Sequence, residues 1–230
     1  MKLLLLGIVI IIVFLLVYAI VPTILIRMNS WGILKRTQSD AIAITFDDGP
    51  NPFYTPQLLD LLKKYKVKAT FFVVGSKVKQ NPEIIKRMSE EGHTIGIHHF
   101  QHVSSWICTA SRLKKQLELT DQAIAECTKE KVVFYRPPWG HFNLFSLLVS
   151  KPYKTIMWSH IFGDWKVEKG KNGLLEELRE AAEPGSILLL HDCGETLGAD
   201  PEAPGYMIKN LEIYLREAID HGTKFIPLKE

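Results

Sequence analysis

Between Ala41 and Leu228 the chain changes hydrophobic period again and again, from short β-rich runs to helical stretches and back. Seven such runs can be read: Ala41–Phe46, Val67–Val74, His93–His98, Val132–Tyr135, Lys154–Trp158, Ser186–Leu190 and Thr223–Leu228. The helical stretches between them carry end signals. Thr55 is expected as an N-cap with Pro56 in the first turn, Asn81 likewise with Pro82, and Gly92 as a stop. Further helices are expected over much of Ser105–Thr128, near Leu144–Ser150 and Gly173–Ala182, and from about Tyr206 to His221. Regular alternation of this kind predicts an α/β fold with a parallel sheet, either open and doubly wound or closed into a barrel.

The polar residues favour the barrel, because reactive groups in a parallel barrel gather at the C-terminal ends of several strands. Asp47 and Asp48 end the first run, His98 the third and Arg136 the fourth, while His191 and Asp192 end the sixth. Asp164 falls in the loop after the fifth. A doubly wound sheet that binds a nucleotide would show a glycine-rich phosphate loop, and neither GxGxxG nor GxxxxGK[ST] occurs.

Ahead of this region, Leu3 to Ile26 contains no charged residue over 24 positions, about 36 Å as a helix. That length spans a bilayer. A cleaved secretory signal competes, with Val17-Tyr18-Ala19 as the cleavage site, but apolar sequence continues beyond it. The expected division is an anchor at 1–27, a juxtamembrane linker at 28–39 and one catalytic domain at 40–230. Lys2 lies before the run and Arg27, Lys35 and Arg36 after it, so the positive-inside rule alone favours a cytoplasmic C-terminal domain. Those four bases also account for the formal charge of +3. From Asp40 onward 24 bases face 25 acids, which leaves no basic surface for nucleic acid. The 3 cysteines form no CxxC pair and read as buried thiols.

Three segments carry chemistry. In Thr45-Phe46-Asp47-Asp48-Gly49-Pro50, alternation along a strand gives the adjacent acids different jobs, one as a metal ligand and one as a base. Taken alone, Asp-Gly-Pro also reads as a surface turn. His98 and His102, spaced i and i+4, can meet at one ion if the chain coils there. Two histidines and one carboxylate leave a coordination position open, so Asp48, His98 and His102 suggest hydrolysis by a metal-activated water. In Leu189-Leu190-His191-Asp192, Leu189 and His191 share a strand face, an acid-base group beside an apolar wall.

Taken together, TFDDGP, the HxxxH of HHFQH, RPPWG and the LLH within ILLLHD resemble, in this order, the motifs of the polysaccharide deacetylase family. These are the NodB-homology carbohydrate esterases of family 4, and the resemblance covers about Ala41 to Leu228. It implies a distorted (β/α)7 barrel. It also implies that Asp48, His98 and His102 bind a divalent metal, commonly zinc, with cobalt, nickel or manganese as alternatives. Asp47 would be the general base and His191 would protonate the leaving amine. The backbone N–H near Trp139 would help to hold the oxyanion. Arg136 would pair with Asp47 and Asp164 would orient Arg136. Trp165 and Leu189 would line the pocket for the acetyl methyl. The fourth motif departs from the family pattern, since Ile161 stands where an acid is usual, and His99 replaces the usual Ser or Thr.

The function so implied is a membrane-anchored, metal-dependent deacetylase of N-acetylated sugars in a polysaccharide such as peptidoglycan or a chitin-like glycan. The N-acetylated glycan is the partner, with no nucleic acid and no obligate protein partner. A cell-wall substrate places the catalytic domain outside the membrane, against the charge count. Two alternatives stand beside it. One is deacetylation of a lipid-linked or small amide substrate. The other is a non-catalytic glycan-binding module that uses Trp106, Trp139 and Trp165 as stacking platforms, although binding alone needs neither Asp47 nor His191.

Overall fold

The computed structural model describes residues 1–229. The chain opens with α1 (Lys2–Leu15), a π-helical turn (Leu16–Ile20) and α2 (Val21–Asn29), one continuous rod. Eight strands follow: β1 (Ile33–Leu34), β2 (Ala43–Asp47), β3 (Thr70–Val73), β4 (Thr94–Ile97), β5 (Phe134–Tyr135), β6 (Lys154–Ile156), β7 (His160–Ile161) and β8 (Ile187–His191). Around them lie α3 (Tyr54–Lys64), α4 (Gly75–Gln80), α5 (Pro82–Glu90), α6 (Ala110–Thr128), α7 (Ser146–Val149), α8 (Val167–Lys171), α9 (Leu174–Glu180) and α10 (Ala203–Asp220).

All neighbouring strands are parallel, in the order β1-β6-β5-β4-β3-β2-β8-β7. The sheet curls into a half-barrel, the distorted (β/α)7 barrel expected, with β2 to β8 as its seven strands. Alternate residues divide the two faces, as the period of a strand requires. Ile44, Phe46, Phe71, Val73, Ile95, Ile97, Leu188 and Leu190 belong to the larger core, which also takes in α3, α5, α6, α9 and α10. Ala43, Phe72, Phe134, Ile156 and Ile187 form a second, smaller core. Gly96 is required here, since a Cβ would come within 2.7 Å of the Phe72 ring.

The expected count of seven is met by different members. Thr223–Leu228 is not a strand but makes a single bridge, Ile42 to Phe225. Its Leu228 joins the smaller core, held by Thr70 and Thr94 (2.9 and 2.8 Å). The seventh strand is β7, only two residues long and so without a readable period. Helix ends also differ. Asn51, not Thr55, closes the start of α3, accepting from the N–H groups of Phe53 and Tyr54 (both 2.9 Å). Thr55 instead donates to Asp192, tying the start of α3 to the end of β8. The expected Ser105–Thr128 helix is interrupted, with a 3-10 turn at Ser105–Ile107 before α6. All three cysteines are free.

The N-terminal rod has two different halves. Side chains of α1 stand clear of the rest of the protein, none of them buried. From Tyr18 onward the rod docks: Ala19, Pro22, Thr23 and Ile26 are buried. Thr23 accepts from the Trp106 indole (2.9 Å) and the Phe142 N–H (3.0 Å). The Tyr18 hydroxyl donates to the Cys108 carbonyl (2.6 Å), and the Tyr18 carbonyl, in the π turn, accepts from Leu144 N–H (3.0 Å). Residues 33–34, just beyond, pair with Thr155 and Ile156 of β6.

Candidate active site

The C-terminal ends of β2, β4, β5 and β8 meet at one mouth. Asp47 and His191 are register partners across β2 and β8, and His98 and Arg136 follow β4 and β5 directly. A cavity of about 390 Å³ opens there. Asp47, Asp48, His98, His102, Trp139, Trp165, Leu189 and His191 all line it. Adjacent residues of a strand point to opposite faces, yet both carboxylates reach the cavity. The reason is the backbone of Asp48, whose φ of 75° ends the extended conformation and turns its side chain back beside that of Asp47. His102 (φ 50°) and Trp139 (φ 55°) are also left-handed. Such conformations are costly for residues with a Cβ and concentrate at sites where geometry is tightly determined.

Asp48 Oδ1 lies 2.9 Å from His102 Nε2 and 3.3 Å from His98 Nε2. Ligands bound at ~2.1 Å to one tetrahedral ion stand about 3.4 Å apart, so this donor set fits a divalent cation. The outer contacts agree. His98 Nδ1 faces the Arg136 carbonyl at 2.8 Å, so Nδ1–H donates there and the Nε2 lone pair is left for an ion. Asp48, His98 and His102 are the group with metal-ligand geometry among the described residues. His99 braces the loop between the two histidines. It is fully buried, bridging the Val103 carbonyl (2.7 Å) and the Tyr135 hydroxyl (2.8 Å), and burial pushes its pKa down to about 3, which keeps it neutral.

Arg136 is completely buried inside the barrel. It donates to Asp47 Oδ1 (2.7 Å), Thr45 Oγ1 (2.8 Å) and the Met157 carbonyl (2.9 Å), and it lies over the Phe72 ring. Burying a guanidinium without its carboxylate would be strongly unfavourable, so Arg136 and Asp47 are structurally a unit. The expectation that Asp164 orients Arg136 is corrected. The Asp164 carboxylate accepts from the His191 backbone N–H (2.7 Å) and faces His191 Nδ1 (3.0 Å). Burial pushes the His191 pKa down, but the charge and hydrogen bond of Asp164, helped by Asp48 and Asp47, outweigh it and raise it to about 9. The Trp165 ring meets His191 edge-on at 5.2 Å. Trp106 is not a free platform, because its ring stacks on His141 at 3.8 Å and its N–H holds Thr23. Ile161 sits on β7 in the cavity wall, so the departure in the fourth motif puts an apolar side chain there in place of an acid.

Six wall residues escaped the sequence reading: Arg27, His141, Trp158, Thr196, Leu197 and Ala199. No local pattern marks them; Arg27 reads as an ordinary flanking base until the rod docks.

The sequence and the parallel barrel have clear counterparts among known proteins. The sequence pattern of the family described as polysaccharide deacetylase matches residues 34–154. Peptidoglycan-N-acetylmuramic acid deacetylase PdaA of Bacillus subtilis is 39% identical over 191 residues, covering 78% of this chain and 73% of that protein. Peptidoglycan-N-acetylglucosamine deacetylase of Bacillus cereus is 39% identical over 193 residues, covering 82% and 86%. Among solved structures, the Bc1960 peptidoglycan N-acetylglucosamine deacetylase superposes with a TM-score of 0.78 at 25% identity, covering 88% of this chain and 94% of the other. The chain therefore belongs to the polysaccharide deacetylase family, hydrolases of carbon–nitrogen bonds.

Proposed function

We propose that this protein is a membrane-anchored, metal-dependent deacetylase that hydrolyses the acetamide of N-acetylated sugars in peptidoglycan and releases acetate. The observation that carries the reading is the convergence of Asp48, His98 and His102 beside Asp47 and His191 in one cavity. A binding module would need neither the buried Asp47–Arg136 pair nor the Asp164–His191 pair.

A divalent ion held by Asp48, His98 and His102, with zinc the first candidate, would supply Lewis acidity toward a water and the acetyl carbonyl. Asp47, fixed by Arg136, accepts the proton of the attacking water. The Trp139 backbone N–H donates to the oxygen on which negative charge develops. His191, with Nδ1 turned to Asp164, presents Nε2 to the leaving nitrogen and gives it a proton as the C–N bond breaks. A pKa near 9 keeps His191 protonated at neutral pH, as an acid must be. Leu189 and the Trp165 ring form an apolar wall suited to the acetyl methyl.

Residues 1–27 serve as the anchor, residues 28–39 join it to the barrel through β1, and residues 40–230 are the catalytic domain. The exposed apolar side chains of α1 support this division, as do Ile107, Leu144 and Leu148, exposed close to where the rod meets the domain. An immobile glycan next to the membrane suits a catalytic domain on the outer side. The bases after the apolar run have uses of their own there: Arg36 pairs with Glu183 and Arg27 lines the cavity. The test is acetate release from purified peptidoglycan by the full chain, with and without metal. No acetate from any N-acetylated glycan by the metal-loaded protein would refute the reading.

A further inference from the structure

Arg27 leaves the apolar rod at the C-terminal end of α2 and enters the wall of the catalytic cavity. Its guanidinium lies over the Trp158 ring at 5.5 Å, and Nη1 is 3.6 Å from the position a Cβ would take on Gly140, in the RPPWG segment. Its charge reaches into the cavity, adding to burial in pushing the His141 pKa down. Among the described residues no carboxylate pairs with it and no carbonyl accepts from its side chain. Arg136, the other arginine near this cavity, has its counter-charge; Arg27 has none. A second cleft, of about 570 Å³, shares Arg27 and Trp158 with the catalytic cavity and adds Lys35 and Arg36. Arg36 is paired with Glu183, so Lys35 is the base that extends the positive wall outward from the site.

A planar fork of N–H donors, held on an aromatic face and left without an anion inside a substrate cavity, matches a carboxylate or phosphate. We propose that Arg27 is a specificity residue for this enzyme, taking an anionic group, carboxylate or phosphate ester, carried by the glycan beside the acetamide under attack. The idea rests on the deacetylase reading for its substrate. It makes the anchor rod part of the active site, since the residue that selects the substrate arrives on the segment that would otherwise only tether the domain.

The experiment uses the full chain in detergent and three soluble probes. One is a disaccharide of N-acetylglucosamine and N-acetylmuramic acid with its lactyl carboxylate free, the second is the same disaccharide as the neutral carboxamide, and the third is N-acetylglucosamine 1-phosphate. Dissociation constants are measured by calorimetry for wild type, Arg27→Gln and Arg27→Lys. Wild type is expected to bind the carboxylate about 10- to 100-fold more tightly than the carboxamide, the range for one charge-assisted pair. Arg27→Gln should reduce that ratio to within about twofold, with Arg27→Lys between. A larger preference for the 1-phosphate, lost in Arg27→Gln, would identify phosphate as the anion. Equal binding of all three probes by wild type overturns the proposal without recourse to any variant. So does a ratio that survives Arg27→Gln, because the anion is then held by the metal site or by His191. Acetate release is followed in parallel. Its absence with every probe and with purified peptidoglycan refutes the deacetylase reading, while the binding ratio still decides the role of Arg27.

Discussion

Replacing Asp164 by Asn should move the alkaline limb of the pH profile and little else. The amide keeps an oxygen to accept the His191 backbone N–H, so the strand end stays in place, but the negative charge 3.0 Å from Nδ1 is lost. His191 stands at about 9 only because that charge and hydrogen bond, with lesser help from Asp48 and Asp47, outweigh burial. Without Asp164, burial prevails and the group should titrate near or below its ordinary 6.5, a fall of about two and a half pH units. At pH 8 a group titrating at 9 is roughly nine-tenths protonated and one at 6.5 roughly one-thirtieth, so turnover should drop about 30-fold there. At pH 6, where even a group at 6.5 is about three-quarters protonated, it should drop by only about 1.3-fold. The sign follows from the role: a proton donor works below its pKa, so lowering the pKa pulls the limb toward acid. A bound divalent cation repels the imidazolium equally in both proteins, and the difference between them survives. The assay is kcat/KM for acetate release from pH 5 to 10, with metal content measured for each protein. An alkaline limb that stays within about half a pH unit of wild type would refute this account of His191.

Asp47→Asn should retain metal and lose roughly 10²–10⁴ in kcat, the usual range for a positioned acid-base group. It should also lower unfolding stability by about 3 kcal/mol, because the fully buried Arg136 loses its counter-charge; urea melts that match wild type would show the pair is not the unit described. Asp48→Ala should empty the metal site by mass spectrometric analysis, and metal retained there but lost in Asp47→Asn would reverse the two assignments. Chelation should abolish acetate release and zinc or cobalt restore it, whereas full activity in metal-stripped protein would rule out metal dependence. A chain beginning near Gln38 should leave the membrane fraction but melt at lower temperature than the full chain, since Thr23 no longer satisfies Phe142 N–H and the Trp106 indole; an equal melting temperature would show that the docked half of the rod adds nothing.

The amino-acid sequence alone determined the parallel α/β barrel and the residues at its strand ends. Both depend on local signals, a period of two giving way to a helical one, with polar groups placed where each strand stops. The apolar rod was legible for the same reason, being a property of composition over one continuous segment. Short elements were not: β7 has two residues and no period to read, and Thr223–Leu228 looks β-rich although Leu228 spends its apolar surface in the smaller core. Roles that depend on distance along the chain were also hidden. Asp164 and His191 are 27 residues apart, and only the pairing of β7 with β8 brings that carboxylate to His191 rather than to Arg136. Left-handed backbone at Asp48 likewise cancels the alternation that the sequence period implies. Arg27 is the furthest case. In the sequence it is one base after an apolar run, and it enters the cavity only because Tyr18, Thr23 and Ile26 dock the rod on Cys108, Phe142 and Leu144, more than 80 residues away. Helical period and charge are written residue by residue, whereas the neighbours a side chain meets across the fold are set by how separate segments pack, and that the tertiary structure alone decided.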